Sequence, residues 1–338
     1  NSLHFLILSN FLEMEKLKVG IAWGGYSSER LISKMSCESI YGILKKKYLN
    51  LYKIEFSRKQ WIVSDYNNKK FIINKNDFSF IKNGLKINFD FVINMIHGSP
   101  GEDGKLADYL ENLAIPHSSS NSTSSKIAFS KNECLSFAKK LKIPTAKSLK
   151  IDLNKPYDIS KICSKIGLPC FVKANSSGSS FGVSKVTVKQ NLKQSILMAF
   201  KESDEVLIEA NISGKEYTVG ITNWNGKIKV LPITEIIPEN DFFDYSSKYK
   251  GKSVEVTPAS TLSKICKNKL EEMTVKLYEN LKLFGLCRAD FIVKDEIPYF
   301  LEINTVPGMT EKSIIPQQLI KEGISINNYY DFLIKKIK

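Results

Sequence analysis

Arginine is scarce in this chain of 338 residues: only three of its 49 lysine and arginine residues are arginine. The formal net charge of +14 would otherwise suggest a nucleic-acid partner. Arginine supplies the bidentate contacts to phosphates and base edges, whereas the lysines here are dispersed among isoleucines and asparagines. The sequence therefore predicts no nucleic-acid partner, although the positive charge favours anionic substrates.

Paired cysteines are absent as well. The six cysteines form no CxxC motif and have no histidine pair nearby, so neither a zinc site nor a disulfide is expected. We expect them to be reduced and semi-buried, as in a cytoplasmic protein. The motif GxxxxGK[ST] is also missing, which makes a P-loop ATPase an unsuitable interpretation.

Long hydrophobic runs are missing too. Residues 3–8 are apolar, but they are too few to span a bilayer and no basic segment precedes them. No later segment approaches a membrane span, and we expect no membrane association. Because Met14 stands just before the first predicted strand, residues 1–13 are expected to be an upstream extension.

The length and the hydrophobic pattern predict an α/β protein of two or three domains. Residues 17–23 form a buried-strand pattern that leads into GGYSSER and a helix, and residues 89–96 form another that ends in HGSPGEDG. Ligands of parallel sheets collect at the carboxyl ends of the strands, so both glycine-rich loops are expected at one functional edge. A serine- and asparagine-rich linker over 117–125 and a helix over 126–141 follow.

Two further segments carry functional signals. Residues 169–173 and 183–186 are predicted strands around a loop of small residues, which would allow backbone amides to approach a phosphate. The loop alone leaves phosphate contact and a plain hairpin turn as equal alternatives. Residues 238–258 are long and irregular but contain several aromatic residues, which favours a functional lid over disorder.

The most informative local pattern is a predicted hairpin, CRADFIV followed by YFLEINT, with a turn over 294–298. Side chains alternate along a strand, so each strand presents every second residue on one face. In the register that aligns these faces, the shared set is Arg288, Asp290, Ile292, Phe300, Glu302 and Asn304.

The two acidic residues of the hairpin suggest a metal site. Two carboxylates about 4 Å apart repel by roughly 4 kcal/mol at an effective dielectric constant of about 20, which favours a cation between them. Carboxylate and amide oxygens suit Mg²⁺. A solvated charged surface is the alternative, and the hairpin alone does not decide between the two. A register slip of one residue would put Asp290 and Glu302 on opposite faces.

A series of motifs occurs in order along the chain: GGYSSER, HGSPGEDG, SKNEC, FVKANSSGSSFGVSKV, VLIEANISGKEYTVG, FFDYSSKY, RADF and LEINTVPGMTEKSIIP. With these motifs, from about Lys16 to the end, the chain resembles the D-alanine–D-alanine ligase family of the ATP-grasp fold. The resemblance implies an α/β, three-domain ATP-grasp protein, in which an N-terminal parallel-sheet domain precedes two α+β lobes that clamp ATP. The expected domains are 14–119 for the amino-acid substrate, 120–212 for the central lobe and 213–338 for the lobe with the Mg²⁺ site.

The same resemblance implies a cytoplasmic, ATP-dependent ligase that joins two D-alanines for peptidoglycan precursor synthesis. ATP phosphorylates the carboxylate of one D-alanine, and the amine of the second displaces phosphate from the D-alanyl phosphate. Two Mg²⁺ ions, replaceable by Mn²⁺, and a homodimer are expected. The alternatives are a ligase that uses D-lactate or D-serine as its second substrate and a nucleotide-binding relative without turnover.

The resemblance implies one residue set for the nucleotide and one for the metal. The nucleotide set is Lys131 and Lys173 at the phosphates, Lys248 at the γ-phosphate, Ser180 in the small-residue loop, Glu209 at the adenine and Glu216 at the ribose. The metal set is Asp290, Glu302 and Asn304.

For the amino acids, the resemblance implies that Glu29 binds the ammonium group of the first D-alanine. Ser313, which begins a helix, is implied to bind the carboxylate of the second, where a helix N-terminus favours an anion. Glu29, Ser179 and Tyr249 are implied to form a hydrogen-bonded trio that closes the lid. Tyr249 stands where relatives that use D-lactate generally carry phenylalanine, which indicates the dipeptide-forming type.

Two further groups are implied in the chemical steps. Arg288 would neutralise the charge on the transferred group and on the tetrahedral intermediate, and the backbone amide of Gly308 would donate to the oxyanion. His97 ends a strand near the first substrate, where a direct catalytic role and the capping of a turn are equal alternatives.

Three places depart from the family pattern. Ser177 replaces an acidic residue, Ala174 replaces a proline, and the pair at 210–211 replaces a bulkier hinge pair. The first and third are expected to weaken ATP affinity or alter lid closure, and the second to loosen one strand end. Residues 45–88 are rich in lysine and asparagine and match the family poorly.

Overall fold

The computed structural model describes residues 17–178, 182–238 and 253–336, which form mixed α/β structure. The chain divides into two compact units. The first comprises Asn1–Ser122 and Val306–Lys338, and the second comprises Thr123–Thr305. The three-domain boundaries at 119/120 and 212/213 stay a prediction, because this division resolves two units. No helix in the described ranges is long and apolar enough to cross a membrane.

The helices and strands follow in chain order. The helices are α1 (Arg30–Leu44), α2 (Lys105–Asn112), α3 (Ser122–Phe129), α4 (Lys131–Lys140), α5 (Ile159–Ile166), α6 (Lys189–Ala199), α7 (Lys264–Asn280), α8 (Ile314–Lys321) and α9 (Ile326–Lys335). The strands of the first unit are β1 (Lys18–Gly24), β2 (Asn50–Phe56), β3 (Trp61–Ser64), β4 (Lys70–Ile72), β5 (Phe80–Lys82), β6 (Leu85–Ile87) and β7 (Phe91–Asn94). The strands of the second unit are β8 (Ser148–Asp152), β9 (Cys170–Ala174), β10 (Val183–Val186), β11 (Glu205–Ala210), β12 (Lys215–Trp224), β13 (Lys227–Val230), β14 (Thr234–Pro238), β15 (Ser253–Val256), β16 (Cys287–Lys294) and β17 (Ile297–Asn304).

The first unit is organised around a five-stranded sheet in the order β4-β3-β2-β1-β7. β1 lies between β2 and β7 and runs parallel to both, as expected for a hydrophobic strand that is buried on both faces. The glycine-rich loops after β1 and β7 contact each other: the amide of Tyr26 donates to the Ser99 carbonyl (2.8 Å), and the Ser27 hydroxyl donates to the His97 carbonyl (2.9 Å). The prediction that both loops share one edge is therefore confirmed.

The segment 45–88, which matched the family poorly, forms β2 to β6. Its core is a group of buried aromatic side chains that pack edge-to-face or tilted, including Tyr52, Phe78 and Phe80. Two of its asparagines, Asn68 and Asn83, lie at turns with φ angles of 59° and 51°. Asparagine tolerates this left-handed conformation better than most residues, which accounts for asparagine at these two positions.

The second unit contains two antiparallel sheets. One has the order β10-β9-β11-β8, and the other has the order β15-β14-β12-β16-β17, with β13 also pairing with β12. Each sheet has a hydrophobic core of its own: α5 and α6 contribute Ile162 and Ile196 to the first, and α7 contributes Leu270 and Leu277 to the second. The predicted strands on both sides of the small-residue loop are confirmed as the β9–β10 hairpin, although residues 179–181 of that loop lie outside the described chain.

The single helix predicted over 126–141, after a linker over 117–125, is wrong. The structure has α3 from Ser122 and α4 from Lys131, because Ser130 between them is extended, with φ −79° and ψ 105°. The Ser130 hydroxyl accepts a hydrogen bond from the amide of Glu133 and so caps the start of α4.

The predicted β16–β17 hairpin is confirmed, and its register pairs Asp290 with Glu302. The predicted face is wrong for Phe300, because the register shifts after Asp290 and Phe291 then pairs with Phe300. Phe300 is fully buried, and its ring centroid lies 5.6 Å from that of Phe291. The extra residue of this bulge is Leu301, which lines the same pocket as Glu302.

Phe300→Ala should lower the free energy of unfolding by about 3–5 kcal/mol, because it empties a fully packed core position under the two acidic residues. Denaturant unfolding of the two proteins measures the difference. Tyr299→Ala, at the half-buried neighbouring position, is the matched control and should cost clearly less. Equal losses for the two variants would contradict the bulged register.

Candidate functional site

A pocket in the second unit brings together residues from both of its sheets. Six residues expected at a nucleotide or metal lie in its wall: Lys131, Lys173, Glu209, Glu216, Asp290 and Glu302. Apolar side chains complete the wall, namely Ala146, Phe171, Val183, Ala210, Ile212, Ile292 and Leu301. The pocket wall thus combines apolar and charged side chains, which suits a ligand with an apolar ring and an anionic group.

The Lys173 ammonium and the Glu209 carboxylate form an ion pair in the pocket wall, on the adjacent strands β9 and β11. Burial alone would lower the pKa of Lys173, but the attraction of Glu209, with smaller contributions from Glu302 and Glu216, raises it above its ordinary value. The charged ammonium form of Lys173 is therefore favoured. The other carboxylate oxygen of Glu209, Oε1, is buried and has no hydrogen-bond partner within the described residues.

Lys131 is the first residue of α4, and its side chain reaches two acceptors. Its ammonium donates to the Ser177 carbonyl at the base of the small-residue loop (2.6 Å) and lies 3.0 Å from Glu302 Oε2. Lys131 therefore links the loop after β9 to the acidic end of the β16–β17 hairpin.

Asp290 is held by hydrogen bonds from three neighbouring side chains. It accepts from Arg288 through Nε (2.9 Å) and Nη2 (2.8 Å), from the Asn304 amide (3.1 Å) and from the Thr218 hydroxyl (2.5 Å). Arg288 and Asn304 are themselves register partners across the hairpin. Asp290 is thus fixed in position, whereas the Glu302 side chain is about one-quarter exposed toward the pocket.

The donor set on the hairpin fits Mg²⁺. It consists of two carboxylates at directly opposed register positions, Asp290 and Glu302, and the amide of Asn304 beside them. Hard oxygen donors of this kind are the ligands that Mg²⁺ prefers. No cluster of three or more histidine, cysteine, aspartate and glutamate side chains suited to a metal occurs in the described chain, so the third protein ligand would have to be the amide.

The first unit contains a second group of predicted site residues. Glu29 precedes α1 and is buried, and His97, also buried, follows β7. The Nε2 atom of His97 lies 3.3 Å from the Ser36 hydroxyl, which also accepts from the amide of Met309 (3.2 Å). Gly98, with φ 70°, lies so close to Ser27 that a Cβ atom there would stand 2.6 Å from the serine oxygen. The loop thus brings His97 close to α1.

Gly308 and Ser313 lie together before α8. The Ser313 hydroxyl bonds with the Thr310 hydroxyl (2.8 Å) and accepts from the Thr310 amide (3.1 Å), and it makes no cap hydrogen bond to α8 within the described chain. A Cβ atom at Gly308 would stand 2.9 Å from the Ser313 hydroxyl, so glycine permits this close approach. The turn places both predicted residues at one helix start.

Some predicted residues lie outside the described chain: Ser179, Ser180, Lys248 and Tyr249. Most of the predicted lid over 238–258 lies outside it too. Of the three departures from the family pattern, Ser177 supplies its carbonyl to Lys131 and Ala210 lines the pocket, and their effect on ATP affinity stays a prediction.

Two site residues were not predicted, although each had a signal in the sequence. Thr218 lies two residues after Glu216 on β12, so strand alternation puts it on the pocket face, where its register partner is Asp290. Ser36 follows Glu29 by seven residues and Ser33 by three, which is the spacing of one helix face. In both cases the sequence signal was a small hydroxyl residue that shares the face of a strand or helix with a predicted site residue.

Family comparisons match almost the whole described chain. The family model "D-ala D-ala ligase N-terminus" matches residues 18–120, and "D-ala D-ala ligase C-terminus" matches residues 138–335. The curated D-alanine–D-alanine ligase of Flavobacterium johnsoniae is 45% identical over 312 residues, which are 92% of this chain and 96% of that protein.

Two solved structures are also similar to this chain over almost its whole length. D-alanyl-alanine synthetase A from Vibrio cholerae has a TM-score of 0.85 and 28% identity, over 96% of this chain and 99% of that chain. The D-alanine–D-alanine ligase from Bacillus anthracis, solved in complex with ATP, has a TM-score of 0.76 and 30% identity, over 95% and 97%.

Proposed function

We infer the activity of this chain from one premise, which is that it belongs to the D-alanine–D-alanine ligase family. It is an ATP-dependent ligase that joins two D-alanines to D-alanyl-D-alanine for peptidoglycan precursors. The observation that carries this proposal is the pocket of the second unit, where Lys131 and Lys173 face the same space as Asp290 and Glu302. Cations and carboxylates around one pocket suit a nucleotide with a divalent metal.

The nucleotide is proposed to lie with its adenine among the apolar side chains and its phosphates near Lys131 and Lys173. The buried Oε1 atom of Glu209 is an acceptor that the adenine amino group can satisfy. Glu216, which also lines the pocket, is proposed to accept from the ribose hydroxyls. Ser180 and Lys248 are assigned to the phosphates by family resemblance.

Asp290, Glu302 and Asn304 would hold the metal, as two Mg²⁺ ions or Mn²⁺ in their place. When bound, Mg²⁺ supplies positive charge that lowers the repulsion between the phosphates and an incoming carboxylate. Arg288 orients Asp290 through its two hydrogen bonds and adds a fixed positive charge at the same end of the pocket.

In the first step, a carboxylate oxygen of the first D-alanine attacks the γ-phosphorus of ATP, and the bond from that phosphorus to ADP breaks. The product is D-alanyl phosphate, in which phosphate is a good leaving group. The chain contributes position and charge: Lys131, Lys173 and Arg288 neutralise the transferred group, and Glu29 holds the ammonium of this D-alanine.

In the second step, the amine of the second D-alanine attacks the carbonyl carbon. A C–N bond forms, a proton leaves the nitrogen, and the C–O bond to phosphate breaks. The Gly308 amide is proposed to donate to the oxyanion, and Ser313 with the start of α8 to bind the carboxylate of the attacking D-alanine. His97 is proposed to position the first substrate. Ser179 and Tyr249, with Glu29, are assigned to lid closure by family resemblance.

The direct test is ADP release by the purified chain with ATP, Mg²⁺ and D-alanine. We expect release that depends on D-alanine, with one dipeptide formed for each ADP, and no comparable release with L-alanine. Folded protein without D-alanine-dependent turnover would overturn the proposal. Mass spectrometry of products from a pool of D-alanine, D-serine and D-lactate identifies the second substrate, and a product other than the dipeptide would overturn the assignment of D-alanine to that position.

We also propose an oligomeric state and a cellular location for the chain. The chain is proposed to act as a homodimer in the cytoplasm, where ATP and peptidoglycan precursors are available. Light scattering coupled to gel filtration measures the mass of the assembly, and a monomer mass at assay concentrations would contradict the dimer.

A further inference from the structure

Asn175 is a buried polar side chain for which the proposed chemistry has no direct use. It follows β9, two residues after Lys173, and it is fully buried. Its side chain makes three hydrogen bonds: Oδ1 accepts from the Asn132 amide (2.8 Å), and Nδ2 donates to Ser130 Oγ (3.1 Å) and Glu205 Oε2 (2.7 Å). Both ends of the amide are therefore used.

The backbone of Asn175 is bonded to the same two segments of the chain, the start of α4 and the start of β11. Its carbonyl accepts from the Lys131 amide (3.0 Å), and its own amide donates to the Glu205 carbonyl (2.9 Å). Asn175 thus joins the base of the small-residue loop to the start of α4 on one side and to the start of β11 on the other.

These contacts occupy the N-terminus of α4. Its first two amides, of Lys131 and Asn132, donate to Asn175, and the third, of Glu133, donates to Ser130. A helix start with free amides would be a natural anion site, but here those amides are satisfied by protein. The positive group that α4 offers to the pocket is therefore the Lys131 ammonium, and its place depends on where α4 begins.

We propose that Asn175 is the positioning residue that holds Lys131 at the phosphate end of the pocket. The inference rests on the proposed function, because it assigns the phosphates of ATP to Lys131. Asn175 fixes the start of α4 against the loop after β9, so that the Lys131 ammonium lies between the Ser177 carbonyl and Glu302. Glu205 fixes the orientation of the Asn175 amide, because only the Nδ2 end can donate to its carboxylate.

The test is a double-mutant cycle between Asn175 and Glu205. Asn175→Asp keeps the acceptor for the Asn132 amide but sets a second carboxylate against Glu205. Glu205→Gln restores a donor there, so that the donor and acceptor of the pair are exchanged in the double variant. The Glu205→Gln single variant is the matched control. Its remaining oxygen can still accept from Asn175, and what it loses is the ion pair of Glu205 with Lys150 on β8, which does not line the pocket.

Binding is measured by calorimetry on the full chain with Mg²⁺ and adenylyl imidodiphosphate, a non-hydrolysable ATP analogue, and by competition with adenosine. Asn175→Asp should lower the affinity for the analogue by about tenfold, which corresponds to about 1.4 kcal/mol, and change the affinity for adenosine by less than about twofold. The affinity of the double variant for the analogue should lie within about threefold of that of the parent, and the affinity of Glu205→Gln alone within about twofold.

The adenosine arm separates positioning of Lys131 from general damage to the pocket, because adenosine has no phosphate. Equal weakening of both ligands, an unrescued double variant or parent-like binding by Asn175→Asp would overturn the inference and leave the ligase function standing. A parent chain that binds no ATP analogue would instead overturn the proposed function. Should Asn175→Asp not fold, Asn175→Ser, too short to reach Asn132 and Glu205 together, is expected to show the same difference between the two ligands.

Discussion

The substitution Glu302→Gln is expected to lower kcat for D-alanine-dependent ADP release by about a hundredfold to a thousandfold. The change removes one negative charge but keeps the size of the side chain and an oxygen that can accept from Lys131. The loss should therefore lie in metal binding and in the chemical step. Steady-state kinetics over a range of Mg²⁺ concentrations measures it, and the concentration required for half-maximal rate should rise.

Asp295→Asn is the matched control for this result. Asp295 is an exposed carboxylate in the turn of the same hairpin, with a φ angle of 51° that asparagine adopts readily. Its kcat should stay within about twofold of the parent. A Glu302→Gln enzyme as active as this control would contradict the metal site and revive the interpretation of the hairpin as a charged surface.

The substitution Arg288→Lys is expected to lower kcat by about a hundredfold or more, with little change in the KM for ATP. Arg288 bonds both oxygens of Asp290 through Nε and Nη2, and a lysine cannot reproduce that planar pair of donors. Its charge is proposed to act on the transferred group, so the loss should appear in turnover. Full kinetics in both substrates separates kcat from KM.

Arg58→Lys is the control for the arginine change. Arg58 is exposed and lies over the ring of Tyr26, a contact that lysine can also make. Its kcat should remain within about twofold of the parent. Should Arg288→Lys behave in the same way, the placement of Arg288 in the chemical step would be wrong.

The sequence predicted the parts of the site that depend on local pattern. Alternation along β16 and β17 gave the opposed pair Asp290 and Glu302, because a strand has a fixed period of two residues. The same alternation failed at Phe300, since a bulge adds one residue to a strand without changing its composition. The register shifts where Phe300 packs against Phe291 in the core, and no local pattern marks that contact.

Contacts between distant residues determine two other features of the fold. The apolar pattern continues through 126–141, and the break at Ser130 depends on Asn175, 45 residues further along the chain. The grouping of Val306–Lys338 with the first unit likewise depends on long-range contacts such as the bond of the Tyr48 hydroxyl to Asp331 (2.8 Å). No local signal marks such partners, so neither feature could be predicted from hydrophobic periodicity.

Transfer of carboxylate oxygen to phosphate tests the central claim most directly. The purified chain is supplied with ATP, Mg²⁺ and D-alanine labelled with ¹⁸O in its carboxylate, and the mass of the released phosphate is measured by mass spectrometry. Activation as D-alanyl phosphate predicts one ¹⁸O atom in each phosphate, because the C–O bond breaks when the amine attacks. Dipeptide formation with unlabelled phosphate would contradict the proposed mechanism.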